Sequence, residues 1–132
     1  LVLSERIEHL NILYHLLDVK KIKSTLIHGG LKSKMKKEFL KEANYSSIIL
    51  STSSFIGEGI DFSHLDAIIL TMPVSYWGRI VQYLGRIGRN GQDCVAIDFF
   101  DENTPILRSS FNKRRRGYKK MGYVPTNEKG LF

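Results

Sequence analysis

Five short, largely apolar runs, separated by stretches of helical periodicity, constrain this chain more than any other feature. They are Leu1 to Leu3, Ser24 to Ile27, Ser47 to Leu50, Ala67 to Thr71 and Val95 to Phe99. Their apolar residues are continuous, which is what a strand buried on both faces requires; a half-solvated strand would alternate. Strands buried in this way belong to parallel sheets covered by helices. The predicted fold is α/β: a parallel sheet of about five or more strands with helices on both faces, in one domain over residues 1–132. The first run starts at residue 1, so a longer parent is expected.

The helical stretches carry their own boundaries. Ser4 is a candidate N-cap for a helix whose Ile7, Leu10, Leu13, Tyr14 and Leu17 share one face. His28-Gly29-Gly30 breaks the second run before a helix expected to turn Met35, Phe39, Leu40 and Ala43 inward. Thr104-Pro105 opens the last helix with proline at the first helical position, and Leu107, Phe111 and Tyr118 mark its apolar side. The stretch after Gly122 has turn-like composition and reads as a frayed tail.

Composition then removes several function classes. One cysteine, Cys94, precludes a disulfide framework or a thiolate zinc set within the chain, and its apolar neighbours suggest a small core residue. His9, His15, His28 and His64 show no paired ligand spacing, so no metal site is expected and each histidine reads as structural or exposed. No G-x-S-x-G elbow supports a hydrolase nucleophile. The absence of an apolar run of about 18 residues or a signal-peptide pattern predicts a soluble, intracellular protein without membrane contact, cytoplasmic or nucleoid-associated. Twenty Lys plus Arg against thirteen Asp plus Glu give a formal charge of +7, which favours a polyanionic partner. The cations concentrate at Lys32, Lys34, Lys36, Lys37 and Lys41, and at Lys113, Arg114, Arg115, Arg116, Lys119 and Lys120, both at spacings expected to expose them on helices. Each run is open between a solvated face and a phosphate-contacting one.

The most specific segment is Gln82-Tyr83-Leu84-Gly85-Arg86-Ile87-Gly88-Arg89. On a continuous helix Gln82, Arg86 and Arg89 would share one face, opposite Ile80, Leu84 and Ile87. Gly85 beside the polar face would let a ligand or backbone approach, and two guanidiniums on a pinned helix suit phosphate oxygens. The spacing Gln-x-x-Gly-Arg-x-x-Arg resembles motif VI of superfamily 2 helicases. In that family two RecA-like domains sandwich ATP, and this resemblance implies that Arg89 is the arginine finger, Arg86 its phosphate-contacting partner, and Gln82 and Gly85 part of the ATP site.

Further matches follow in family order. Ser51 through Asp61 is similar to motif V, which implies nucleic-acid backbone contacts for Thr52 and Ser54 and a loop at Gly59 and Asp61 linking that grip to ATP. Gly57-x-Gly59 could also be read as a dinucleotide loop, but the third glycine of that pattern would fall at Phe62; a tight turn is compatible with the helicase reading. Leu1 through Arg6 resembles motif IV, placing Ser4 and Arg6 as candidate phosphate contacts, and Gly29-Gly30 resembles a segment that admits the nucleic-acid backbone. Trp77 reads as a packing anchor at the entry to the motif VI helix. Glu58 stands where DEAD-box proteins usually carry arginine, which points toward a DEAD/DEAH-like, restriction-type DNA enzyme over a DEAD-box RNA helicase. The terminal basic segment around Arg115 also resembles restriction-like helicases, so the likeness covers nearly the whole chain.

No G-x-x-x-x-G-K-[ST] cradle and no acidic pair for Mg²⁺ occurs in the chain. The resemblance therefore implies a second motor domain, inactive and monomeric when isolated. Its partners would be an N-terminal RecA-like domain that binds most of the ATP and Mg²⁺, and DNA or RNA, with DNA preferred. The alternative is a RecA-like nucleic-acid-binding or regulatory module that has lost the chemistry.

Overall fold

A computed structural model describes residues 1–56, 62–73, 77–87 and 93–126. Gly57, Glu58, Gly59, Asp61, Gly88 and Arg89, the side chain of Trp77 and the last residues of the tail lie outside the described residues. The elements run β1 (Val2–Ser4), α1 (Ile7–Val19), β2 (Thr25–Ile27), α2 (Ser33–Ala43), β3 (Ile49–Thr52), α3 (Ser53–Ile56), β4 (Ala67–Leu70), α4 (Trp77–Leu84), β5 (Val95–Asp98) and α5 (Pro105–Lys120).

The strands form one sheet in the order β2-β3-β1-β4-β5, with every pairing parallel. All five expected strands are present, but β3 sits two residues later than its apolar run and takes in Ser51 and Thr52. Pairing with β1, in the register Val2↔Leu50, Leu3↔Ser51 and Ser4↔Thr52, gives these polar residues ladder partners that outweigh their composition. The crossover from β1 to β2 runs one way across the sheet and that from β2 to β3 runs back. Right-handed connections therefore place α1 and α2 on opposite faces.

The two faces are unequally packed. Leu3, Ile27, Ile49, Phe55, Ile68 and Ile80 belong to one continuous buried cluster. Leu50 points the other way from Ile49 and, with the fully buried Leu10, forms a smaller core beneath α1, which contacts β1, β2 and β3. Fully burying each such aliphatic side chain stabilises the fold by about 1.5–3 kcal/mol.

Several sequence expectations need correction. Helix α1 starts at Ile7 with Arg6 as N-cap, and no side chain caps it; the Ser4 hydroxyl instead accepts the Arg6 N–H at 3.2 Å, forming a tight turn before the helix. Tyr14 and Met35 are exposed, so only part of the apolar stripe of α1 and of α2 is covered. Arg114 is not on a solvated face: it is 1% exposed. Cys94 is half-buried and packs against the core, and burial beside Asp66 and Asp93 raises its thiol pKa. Thr104 and Pro105 open α5 as expected, with Asp101 accepting hydrogen bonds from the Thr104 N–H and hydroxyl, both at 3.2 Å. Among the described residues, no helix is long and apolar enough to cross a membrane.

Candidate functional site

Because β1 lies between β3 and β4, the carboxyl ends of these strands bring Ser4, Thr52 and Thr71 into one row at one edge of the sheet. Open α/β sheets bind ligands at this edge, since the helices that follow the strands begin there. Thr71 ties the row together by donating its hydroxyl to the Leu3 carbonyl at 2.7 Å.

Ser4 is buried, and its hydroxyl is engaged by three neighbours: the Arg6 N–H, His9 Nδ1 at 3.0 Å and Met72 Sδ at 3.2 Å. It braces the turn from β1 into α1. Arg6 itself is exposed. At the end of β3, Thr52 is buried while Ser54 is exposed, its hydroxyl 3.4 Å from Thr52 Oγ1. The polar run at this strand end therefore leaves one hydroxyl at the surface and keeps the others in the fold.

Residues that sequence reasoning passed over knit the edge together. The buried Ser53 hydroxyl donates to the Glu5 carboxylate, and Ser53 also hydrogen-bonds Tyr83 of α4. Glu5 in turn faces Arg79 of α4 at 3.8 Å. Desolvation raises the Tyr83 phenol pKa; the Ser53 bond opposes the rise and the nearby Glu5 charge adds to it. One small network thus joins the β1–α1 turn, the β3–α3 junction and α4. Motif spacing gave no signal for it, because its members come from three separate segments.

On α4 the sequence reading holds for packing and fails for length. Ile80, Tyr83, Leu84 and Ile87 are all buried and Gln82 is exposed. The helix nevertheless ends at Leu84: the Gly85 N–H still bonds the Val81 carbonyl at 2.9 Å, but the Arg86 N–H bonds the Tyr83 carbonyl at 3.1 Å, a tighter three-residue turn. Arg86 is half-buried just beyond the helix, so Gln82 and Arg86 do not share one continuous helical face, and Arg89 lies outside the described residues. Glycine at position 85 has a local cause: a Cβ there would lie 3.2 Å from the Val81 carbonyl of the preceding turn.

Gly29 and Gly30 are exposed after β2, and the Gly30 N–H donates to His28 Nδ1 at 3.2 Å. A Cβ at Gly29 would meet nothing within 4 Å. A concavity of about 310 Å³ lined by residues including Ser46, His64 and Asp66 lies at the opposite, amino edge, and none of the expected site residues lines it.

The description "Helicase conserved C-terminal domain" matches residues 1–91, more than half of the chain. The chain belongs to this family. Among its relatives, the putative ATP-dependent RNA helicase QP509L of African swine fever virus (isolate Pig/Kenya/KEN-50/1950) is 39% identical over 88 residues, 64% of this chain and 17% of that protein. The putative helicase 161L of Invertebrate iridescent virus 6 is 34% identical over 84 residues, 62% of this chain and 18% of that one. The matched segment thus spans less than a fifth of each of these two relatives. The fold is similar to that of S. cerevisiae Dbp5 L327V bound to RNA and ADP BeF3, with a TM-score of 0.73 at 20% identity, covering 94% of this chain and 32% of that one. The RecA-like assignment stands on this likeness and on the five-stranded parallel sheet. The preference for DNA drawn from Glu58 finds no support in these relatives.

Proposed function

We propose that this domain is the second motor domain of an ATP-dependent nucleic-acid helicase or translocase, with RNA the favoured substrate. The observation that carries the reading is the convergence of the motif IV and motif V segments at one sheet edge. Ser4 and Thr52 end neighbouring strands, and Ser53, Glu5 and Arg79 link both segments to the helix that leads into motif VI. Exposed Ser54 and Arg6 would contact the nucleic-acid backbone, supported by the buried Thr52 and Ser4 beneath them. The RNA preference rests on the names of the viral relatives.

Arg86 and Arg89 would bring positive charge to a triphosphate held by a preceding RecA-like domain, with Gln82, Gly85, Gly59 and Asp61 completing this side of the cleft. On this side of the cleft, exposed Gln82 offers a nucleotide a hydrogen-bond donor and half-buried Arg86 a cation. Mg²⁺ bound by the other domain would neutralise phosphate charge. Closure of the two domains on ATP would assemble the arginines, and reopening would shift the grip at Ser54 along the strand.

The test is Arg89→Ala in the full-length protein. RNA-stimulated ATP turnover should fall by about 10³- to 10⁵-fold, the range an arginine finger contributes, with an unchanged melting temperature. Retained turnover would remove the arginine finger from the account. A preceding sequence lacking any phosphate-cradling loop would instead favour a non-catalytic module.

A further inference from the structure

Helix α5 follows the residues that match the family, and its basic run has no place in the site described above. Its geometry sorts that run into two kinds of residue. Leu107, Phe111, Arg114 and Tyr118 are spaced i, i+4, i+7 and i+11, so they fall on one stripe. All four are buried or half-buried. From this stripe Arg114 and Tyr118 grip Asp98 at the carboxyl end of β5, while α5 also packs against α4. The helix is therefore held from beneath as part of the domain.

Arg108, Lys113, Arg115, Arg116, Lys119 and Lys120 occupy the rest of the circumference, and every one is exposed. Helix α5 contains no acidic residue, and no ion pair joins any of the six to a carboxylate among the described residues. Lysine-bearing α2 is different: Glu38 and Glu42 interrupt its cations, and Lys36 lies 4.5 Å from the ring centre of Phe55. A solvated surface helix mixes its signs in that way. On α5 the like charges at i, i+3 and i, i+4, such as Arg115 with Lys119 and Arg116 with Lys120, repel one another, and only the last turn gains from the helix dipole.

We propose that the outward face of α5 is a second contact surface for the phosphate backbone of the nucleic acid on which the domain acts, separate from the Ser54 edge. This inference rests on the helicase reading above. Arg108, Arg115 and Lys119 form a stripe about 17 Å long at 1.5 Å per residue, enough to follow several successive phosphates. The ends of β3 and β5 are three strand spacings apart, about 14 Å, so a strand held at Ser54 needs to extend only a few nucleotides to reach α5. A polyanion is the occupant that complementarity selects, because this face carries six exposed cations and helix α5 has no acidic residue among them.

The test uses the full-length protein with Arg108, Arg115 and Lys119 changed to Gln, measured by fluorescence anisotropy on a single-stranded oligouridylate between 50 and 200 mM KCl. The expected result is a log affinity against log salt plot shallower by about 2, from three lost contacts at about 0.7 each. Affinity at 50 mM should drop roughly 10- to 100-fold, with the melting temperature retained. Arg108→Lys with Arg115→Lys should bind as the wild type does. Wild-type slope and affinity in the Gln variant would overturn the proposal; if Ser54→Ala still weakens RNA binding, the helicase reading survives that failure. A wild-type protein that binds no RNA would bring down both. Loss of binding to phosphatidylserine vesicles without any change in RNA affinity would assign the face to a membrane and also overturn the proposal.

Discussion

Arg114 holds Asp98 through two hydrogen bonds, Nε to Oδ2 at 2.6 Å and Nη2 to Oδ1 at 3.0 Å, with the two side chains 1% and 7% exposed. Tyr118 donates its hydroxyl to the same carboxylate at 3.0 Å. An acid at a strand end and two residues one turn apart on the final helix thereby fasten β5 and α5 to each other, although both lie beyond the residues matched to the family. Removing one member of a buried pair leaves the other charged and uncompensated, which costs about 3–5 kcal/mol. Asp98→Ala should lower the unfolding free energy by that amount in urea, whereas Arg115→Ala on the exposed side should change it by less than about 0.5 kcal/mol. Equal effects from the two would show that α5 is not anchored at Asp98.

Alkaline stability should report on Tyr118. Burial first, then the Asp98 charge and hydrogen bond, push its phenol pKa well above the ordinary value of 10.0. The folded state holds this proton more tightly than the unfolded chain does, so the associated stability is intact below pH 10 and is lost as pH rises beyond it. Unfolding of the wild type between pH 8 and 11.5 should therefore show a steeper alkaline decline than that of Tyr118→Phe. Tyr83 and Tyr123, also raised by burial, are common to both proteins and cancel in the comparison. Parallel declines would mean that the phenol ionises freely in the fold.

Lys21 sits in the left-handed region with φ of 57° directly after α1. Its N–H bonds the Asp18 carbonyl at 2.8 Å and the Ile22 N–H bonds the Leu17 carbonyl at 2.9 Å, the paired closure in which glycine is favoured. Lys21→Gly should raise stability by about 1 kcal/mol, because a Cβ in this conformation costs roughly 1–2 kcal/mol. A lower melting temperature for the variant would contradict this.

Glu5 places a partly exposed carboxylate beside the proposed backbone contact at Ser54, bridged by Ser53 and opposite Arg79. Exposed pairs of this kind contribute about 0–1 kcal/mol, so Glu5→Gln should barely alter stability. Removing a negative charge near incoming phosphate should strengthen RNA binding about fivefold at low salt, equivalent to ~1 kcal/mol, and the gain should fade as salt rises. Weaker binding at every salt concentration would make Glu5 an organiser of the contact.

The parallel sheet, the order of its strands along the chain and the proline-led start of α5 were readable from residue patterns alone, since burial on both faces and backbone geometry act locally. So was the order of the family motifs, which depends only on spacing. The position of β3 was not, because the pairing of Ser51 and Thr52 with β1 is supplied by residues far away in the chain. Nor was the end of the helix at Leu84, where the turn closing on Tyr83 stops a periodicity that the side chains continue. Arg114 makes the difference plainest. Helical spacing alone puts it on the stripe of Leu107, Phe111 and Tyr118, but an arginine there has no partner until the tertiary fold brings Asp98 beneath that stripe and a surface-type residue becomes a buried one.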